Sequence, residues 1–402
     1  MKKHVLISGA SVAGPAIAFW LSRYGFDVTV VEKAPTIRPG GYAVDFRGSA
    51  MHVLERMNLV EEIKKRETRA GAITMVDEND KIEARLPDGF TSGELEILRG
   101  DLANVLCEAT SHDVEYVFGD SIQAIEQTAD GVDVRFVSGR VQRVDFVVGA
   151  DGLHSNVRSI AFGDEEKFVR HMGYYISIFT VPDFLHLHDA GRYYVQLGRR
   201  VGCFGSKNSG NAKASFYFAS QKFDYDRRDV TAQKALLRET FAGMKWHTQE
   251  MLGMMDAAPD FYFDSLSQVK MDRWSKGRVV LLGDAASCAS PMAGMGTSIA
   301  MVGAYVLAGE IKNANGDYAA AFARYEAAMR GFVSEAQKMA EGVSWFIPQT
   351  RMKLWFSKKM WSLMPQSTMR KLMVEQPAKI GSMVQLKDYS AVTTPKEIVS
   401  AV

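Results

Sequence analysis

The sequence has few cysteines and no excess of charge of either sign. Only Cys107, Cys203 and Cys288 occur among 402 residues, and they are widely separated and odd in number. This pattern excludes a disulfide framework and a cysteine-based zinc site, and it favours a reducing, cytoplasmic location. The formal net charge is only +1. A nearly neutral chain has no strong field that would recruit nucleic acid or an acidic membrane.

Long hydrophobic runs and clusters of catalytic or metal-binding side chains are also missing. No segment has the length and apolarity of a membrane-spanning helix, so we expect no membrane insertion. His186 and His188 are close together, but no cluster of cysteines or acidic residues accompanies them, so no metal site is predicted. No Ser-His-Asp set or carboxylate pair is evident, so no catalytic side chain is predicted.

The first forty residues predict a βαβ unit. Residues 4–8 indicate a buried strand, residues 14–24 place apolar side chains at helical spacing, and residues 28–31 indicate the next strand. A strand, a helix and a second strand in this order imply a parallel sheet with a right-handed crossover. This arrangement is typical of nucleotide-binding domains.

The turn inside this unit predicts a phosphate site. Gly9, Ser11 and Gly14 occupy the positions of Gly-x-Gly-x-x-Gly, with serine in place of the middle glycine. The helix that follows offers free N–H groups to a pyrophosphate. Glu32 ends the second strand, where an acid binds ribose hydroxyls. Because an acid there disfavours a 2′-phosphate, the groove is expected to take FAD or NAD.

Two later segments place an aspartate after an apolar strand. Asp151 follows residues 146–149, and either a ligand contact or a helix cap would explain it. Asp284 follows Gly283 and an apolar run, and a loop containing Pro291, Gly294 and Gly296 comes next. The glycines allow the backbone to approach a flat ring, and a helix beginning near residue 296 would point its positive end toward it.

In this order and separation, the three stretches resemble those of the FAD-dependent aromatic hydroxylases, the single-component flavoprotein monooxygenases. Residues 40–48 resemble a segment beside the flavin in tetracycline-inactivating members, and Arg47 is expected to contact FAD or nicotinamide. Arg99 resembles an arginine that contacts the phosphate–ribityl region, although a surface arginine near a helix cap is the alternative. By resemblance, Asp284 binds ribityl hydroxyls. Ser287, Ser298 and Gly303 depart from residues common in the family.

The resemblance implies a reaction that needs no catalytic side chain. NADPH or NADH would reduce FAD, oxygen would add to it, and a flavin hydroperoxide would hydroxylate an aromatic or polyketide-like compound. The residues leave open hydroxylation or Baeyer–Villiger insertion, and monomer or homodimer. A flavin-dependent dehydrogenase or reductase and a non-catalytic small-molecule-binding protein remain alternatives. A flavin halogenase is disfavoured because Val343 stands where that family has tryptophan.

The pattern of elements predicts the α/β class with two sheets. Residues 49–66 are expected to form one amphipathic helix, and residues 72–98 and 171–221 antiparallel strands. The expected divisions are an FAD-binding Rossmann-like domain (1–71, 99–170 and 271–330), a substrate domain (72–98 and 171–270) and a C-terminal helical segment (331–402). Candidate residues for the substrate pocket are the aromatics Tyr174, Tyr175, Phe179, Phe204, Phe216 and Phe218, and ordinary core packing is the alternative for each of them.

Overall fold

The computed structural model describes residues 2–38, 41–68, 71–90, 93–205 and 210–389. It confirms the α/β class. The strands are β1 (His4–Ser8), β2 (Asp27–Glu32), β3 (Ala43–Phe46), β4 (Ile73–Val76), β5 (Ile82–Arg85), β6 (Leu95–Leu98), β7 (Glu115–Phe118), β8 (Ile122–Gln127), β9 (Val132–Phe136), β10 (Val141–Val144), β11 (Phe146–Gly149), β12 (Val169–Pro182), β13 (Gly191–Gln196), β14 (Arg199–Gly205), β15 (Asn211–Ala219), β16 (Phe261–Val269), β17 (Ser275–Lys276) and β18 (Val279–Leu281).

Helices cover the sheets and form most of the C-terminal region. They are α1 (Ala13–Arg23), α2 (Ser49–Met57), α3 (Val60–Lys64), α4 (Arg99–Glu108), α5 (Asn156–Phe162), α6 (Val230–Thr240), α7 (Thr248–Met254), α8 (Asp284–Ser287), α9 (Gly296–Asn313), α10 (Tyr318–Ala340), α11 (Val343–Phe346), α12 (Arg351–Leu363), α13 (Gln366–Arg370) and α14 (Gln376–Gly381). Single 3₁₀ turns occur at Glu165–Lys167, Met255–Ala257 and Pro291–Ala293, and a π turn at Lys371–Glu375.

A six-stranded sheet with the order β17-β18-β11-β1-β2-β7 holds the predicted βαβ unit. Its pairings are parallel except at β17, the antiparallel edge strand. The inner strands are largely apolar and buried because helices and the strands β8, β9 and β10 pack against them. One of these helices is α9, which matches the long helix predicted from residue 296 and is buried on nearly all sides.

The second large sheet has the order β16-β12-β15-β14-β13-β4-β5. It is antiparallel as predicted, except that β4 runs parallel to β13. The strand at the end of residues 72–98 does not join it, because β6 pairs instead with β3 in a two-stranded sheet. Strands β8, β9 and β10 form a small antiparallel sheet of their own. The division of the chain into domains stays a prediction.

The single helix predicted for residues 49–66 was wrong. Asn58 has a left-handed backbone, with φ of +57°, and it ends α2 before α3 begins at Val60. Asparagine tolerates this conformation, which satisfies the last carbonyl groups of a helix. The apolar pattern continues through the break because both short helices bury the same side.

Among the described residues, no helix is long and apolar enough to cross a membrane. In the same residues, no group of three metal-ligating side chains is found.

The end of the described chain is anchored on α9. Tyr389 donates a hydrogen bond to the buried carboxylate of Glu310 (2.8 Å), which also accepts from Lys387 and Arg324 (2.6 Å each). The ring of Tyr389 lies directly over Gly309, where a Cβ would overlap it. This glycine therefore makes room for the aromatic anchor.

Substitution of two helical glycines tests this packing. Gly309→Ala should destabilise the fold by about 1–3 kcal/mol, because the new methyl group displaces Tyr389. Gly331→Ala in α10 is the control, because Gly331 is exposed and has open space. It should stabilise by about 0.5–1 kcal/mol through helix propensity. Urea unfolding measures both, and equal effects of the two changes would contradict the anchoring role.

Candidate functional site

One large cavity, of about 800 Å³, lies between the parallel sheet and the second sheet. Its size is at the upper end of the range for small-molecule sites. One end is formed by the turn before α1, the start of α4 and the loop from Asp284 to Thr297. The other end is formed by one face of β12–β15 together with α11, α12 and α14. Residues from distant parts of the sequence therefore meet around one space.

The N-terminus of α1 faces the cavity. Ser11, Val12 and Ala13 line the wall, and no side chain caps the first turn, which also contains no acidic residue. Its N–H groups are therefore available to an anion, and the helix dipole favours negative charge there. A Cβ at Gly14 would overlap the carbonyl oxygen of Gly9, so both glycines are needed for α1 to approach β1 this closely.

A second helix N-terminus faces the same cavity. Gly296 and Thr297 line it at the start of α9, whose first turn has no side-chain cap and no acidic residue. Pro291 begins the preceding 3₁₀ turn, and Gly294 ends it with a left-handed backbone, φ +60°. Both also line the cavity. Two positive helix ends converging on one space favour a ligand with negative charge at separate points.

Asp284 contributes a carboxyl group to the same end of the cavity wall. Burial raises the pKa of Asp284 above its ordinary value, and a hydrogen bond with Cys288 opposes the shift. Arg158, which is fully buried, holds the backbone beside Asp284 in place. Arg158 donates to the carbonyl oxygens of Ala285 (2.9 Å) and Leu153 (2.6 Å), and so joins the second and third sequence motifs.

Asp151 serves as a brace in this structure. Its carboxylate accepts hydrogen bonds from the hydroxyl of Ser155 (2.5 Å) and the N–H of Val157 (3.0 Å), at the start of α5. Its neighbours Ala150 and Gly152 line the cavity, whereas Asp151 itself does not. The N-cap of α5 is Ser155, whose hydroxyl accepts from the N–H of Arg158 (2.9 Å), so Asp151 supports the cap without being the N-cap itself. Its contact with a cofactor stays a prediction.

His154 fastens the same loop to the second sheet. Its Nδ1 lies 3.0 Å from Glu165, and its Nε2 lies 3.0 Å from Asp264 on β16. Burial lowers the pKa of His154, but the hydrogen bonds to the two carboxylates outweigh burial and raise it overall. A protonated imidazole can donate to both acids, so it clamps the two sheets together.

Glu32 also braces the backbone. Its two carboxylate oxygens accept from the N–H groups of Ala10 and Ala34, each at 2.9 Å. Glu32 does not line the cavity, although Ser11 beside Ala10 does. Because each carboxylate oxygen can accept a second hydrogen bond, its contact with a ribose stays a prediction.

The two predicted arginines both line the cavity. Arg99 begins α4 and donates to the hydroxyl of Ser11 (2.8 Å), so it lies beside the first motif. Arg47 is buried and paired with Asp45 (2.5 Å). Its backbone N–H donates to the hydroxyl of Ser298 (3.2 Å), which gives that departure from the family pattern a structural role. Gly40, in the same sequence segment, lies outside the described residues.

Another departure has a steric reason. A side chain at Gly303 would meet Leu282 at 3.0 Å, close to the end of β18. A larger residue at this position would require Leu282 to shift by a few tenths of an ångström.

Of the six aromatic residues considered for the substrate pocket, five do not line the cavity and belong to the apolar core instead. Side chains alternate across a strand, and Tyr175, Phe179, Phe216 and Phe218 point to the face covered by α6 and α7. Tyr174 is buried elsewhere and donates to the carbonyl of Ile347. Of the six, Phe204 lines the cavity, together with the cavity-facing residues of the second sheet Ile176, Ile178, Tyr193, Arg200, Lys213, Ser215 and Tyr217.

Arg200 is the most informative residue that the sequence analysis missed. It is only 4% exposed, lines the cavity and has no carboxylate or hydrogen-bond partner among the described residues, with its Nε atom buried and unsatisfied. Its guanidinium lies over the ring of Tyr193, 3.6 Å from the ring centre. Burial lowers the pKa of Arg200, but an arginine remains charged at neutral pH. A signal existed, because Arg200 and Phe204 share one face of β14 while Val201 and Cys203, on the other face, are buried in the apolar core.

Tyr42 was also missed. It lines the cavity next to Asp284, and burial together with that carboxyl raises its pKa to about 12. The phenol is therefore neutral and can donate a hydrogen bond into the cavity.

Comparison with known proteins identifies the family. The FAD binding domain model matches residues 2–320. A flavin-dependent monooxygenase of Legionella longbeachae is 43% identical over 344 residues, covering 85% of this chain and 88% of its own. An uncharacterized protein of Mycobacterium tuberculosis, Rv1260, is 44% identical and covers 83% of this chain and 92% of its own.

A solved structure agrees with the sequence comparisons. The tetracycline destructase Tet(51) superposes with a TM-score of 0.84 at 35% identity, and the match covers 97% of this chain and all of that one. The family model spans the segments that carry the three motifs, and the relatives match along most of the chain. The chain therefore belongs to the FAD-dependent monooxygenases of the aromatic-hydroxylase family.

Proposed function

We propose that this protein is an NAD(P)H-dependent monooxygenase that inserts one atom of O₂ into a planar, polycyclic compound bearing acidic enol or phenol groups. The observation that carries the proposal is the continuity of one cavity, which has two helix N-termini at one end and a buried arginine at the other. When bound, FAD would accept a hydride from NADPH or NADH and activate oxygen. Oxidation of the substrate through a flavin hydroperoxide, which the family resemblance implies, is part of this proposal.

The residues at the first end fit FAD. The diphosphate would lie at the N-terminus of α1, where N–H groups are free and Arg99 adds positive charge. Asp284 would accept hydrogen bonds from ribityl hydroxyls. The N-terminus of α9, with Gly294 and Gly296, would lie against the ring and stabilise negative charge on its reduced form.

The residues at the other end define the substrate class. Arg200 offers forked N–H donors that match paired or delocalised oxygens, and its buried charge has no protein partner among the described residues. Tyr193, Phe346 and Trp361 supply apolar, aromatic surface beside it. An enolate or phenolate on a flat ring system satisfies both. Because Tet(51) is a tetracycline destructase, tetracycline, which has such enol groups, is a suitable test compound.

The role of the protein is then positioning and exclusion of water. Among the described residues that line the cavity, no general acid–base pair of the kind used in hydrolysis is formed. A monooxygenase of this type needs none because the cofactor supplies the reactive oxygen. The apolar and aromatic part of the cavity wall limits access of water to the reactive centre. The choice between hydroxylation and Baeyer–Villiger insertion depends on which carbon the cavity presents.

The activity test combines three readouts on purified protein reconstituted with FAD. NADPH or NADH oxidation should rise several-fold on adding tetracycline, 1-hydroxy-2-naphthoate or a hydroxyanthraquinone. Oxygen uptake should equal the product formed, and product mass should increase by one oxygen atom. Substrate oxidation without oxygen in the product would favour the dehydrogenase alternative. Ligand binding without NAD(P)H oxidation would favour a binding protein.

Asp284→Ala should weaken FAD binding about tenfold or more, because a buried hydrogen-bonded carboxylate contributes roughly 1.5–3 kcal/mol. Fluorescence of released flavin during dilution measures the dissociation constant. The control is Asp256→Ala, which removes an exposed carboxylate that pairs with Arg238 far from the cavity. Full FAD occupancy in Asp284→Ala at submicromolar cofactor would refute the role of Asp284.

Arg200→Met keeps most of the side-chain volume and removes the charge. It should raise the dissociation constant of an enolic ligand such as tetracycline about tenfold or more, while leaving FAD content unchanged. The neighbouring Arg199→Met is the matched control, because Arg199 does not line the cavity and donates to the Thr240 carbonyl. Ligand-induced change in the flavin spectrum measures binding. Equal affinities in the two variants would rule out recognition by Arg200.

A further inference from the structure

Helix α12 exposes an apolar face to solvent. Met352, Trp355, Phe356 and Leu363 are each more than half exposed. Their spacing of three, four and seven residues places them on one side of the helix. Large apolar side chains are rarely gathered this way on a surface without a binding role. Leu372, half exposed in the following π turn, extends the patch.

The chain segment that carries this face has cationic side chains and no acidic ones. Residues 342–374 contain six cations and no acidic residue, although the whole chain has a net charge of only +1. Among the described residues, Lys358 pairs with Glu83 (2.9 Å) and Arg370 lies 3.8 Å from Glu375. The cations of this segment without a carboxylate partner in the described chain are Arg351, Lys353, Lys359 and Lys371.

The opposite side of the same helix forms part of the cavity wall. Met360, Trp361 and Met364 line the cavity, and Leu372 lines it while also being exposed. Leu372 therefore marks a point where the cavity reaches the surface. Leu372 follows Leu363, the last exposed apolar residue of α12, by nine positions in the sequence.

We propose that residues 351–372, which comprise α12, α13 and the start of the π turn, form a surface that binds the face of an anionic lipid bilayer. Aromatic and long aliphatic side chains enter the interface, and flanking lysines and arginines attract anionic headgroups. The positive charge of the segment favours an anionic membrane over a second copy of this chain as the binding partner. A second copy of this chain would bring six further cations against the same face, whereas an anionic membrane neutralises them.

The test is co-sedimentation of the full-length, FAD-loaded protein with vesicles. Wild type should bind phosphatidylcholine vesicles containing 30% phosphatidylglycerol, and binding to pure phosphatidylcholine should be at least tenfold weaker. Raising salt from 0.05 to 0.5 M should reduce binding, because exposed charges are screened. Absence of binding to anionic vesicles at low salt overturns the proposal.

Paired variants separate the apolar and charged contributions. Trp355→Ser/Phe356→Ser should lower the partition coefficient about tenfold or more. The control Val137→Ser/Val141→Ser removes two equally exposed apolar side chains at β9–β10 and should leave binding unchanged. Equal losses in both double variants would overturn the proposal.

The charge variant Lys359→Gln/Lys371→Gln should bind at least threefold more weakly than Lys65→Gln/Lys245→Gln, which removes the same charge elsewhere. Equal binding by these two variants contradicts the role of the segment. Analytical ultracentrifugation tests the other occupant. A wild-type dimer that only Trp355→Ser/Phe356→Ser dissociates, with no vesicle binding, would assign the face to a second copy. None of these readouts requires turnover, so failure here leaves the proposed reaction untouched.

Discussion

Close approach of backbones at the ends of three parallel strands is the constraint on which the cavity depends. Gly9, at φ +107°, lies so near the carbonyl of Ala150 that a Cβ would be 2.5 Å from its oxygen. Gly283, at φ +62°, faces Ala13 at the start of α1, and Gly14 lies against Gly9. The three sequence motifs therefore form one cluster of backbone contacts. A larger side chain at any of these glycines would move a strand end or a helix N-terminus away from the ligand space.

The turns at this end of the cavity could be predicted from the sequence because each depends on a short local motif. The spacing of glycines and aspartates after apolar strands predicted the turns, and parallel pairing then placed their ends at one edge. The roles of Glu32 and Asp151 were less determined. A carboxylate at such a position can hold a neighbouring N–H group or reach a ligand, and both uses require the same residue at the same place. The structure shows bracing for both.

The end of the cavity formed by the second sheet could not be predicted from the sequence, because it depends on contacts between distant segments. Alternation along β15 separates Phe216 from Tyr217, but it does not reveal that α6 and α7 cover the face of Phe216. The parallel pairing of β4 with β13 joins segments more than a hundred residues apart. The burial of Arg200 could not be predicted for the same reason. A charged residue on a strand is normally solvated, and only the packing of α11 and α12 over it creates a buried, unpaired cation.

The position of α12 would connect the proposed substrate recognition with the proposed binding to a membrane. Its inner side closes the cavity beside aromatic residues, and its outer side carries the exposed patch. A flat ring system with a few acidic oxygens is itself amphiphilic, so it concentrates at the headgroup boundary of a bilayer with its oxygens toward water. The end of the cavity beside the second sheet repeats that polarity, because aromatic and apolar side chains surround the buried cation of Arg200. A protein adsorbed through α12 would take up such a compound near Leu372 without carrying its apolar surface through bulk water. The low net charge of the chain is consistent with this arrangement, because adsorption needs positive charge only in the segment that meets the membrane.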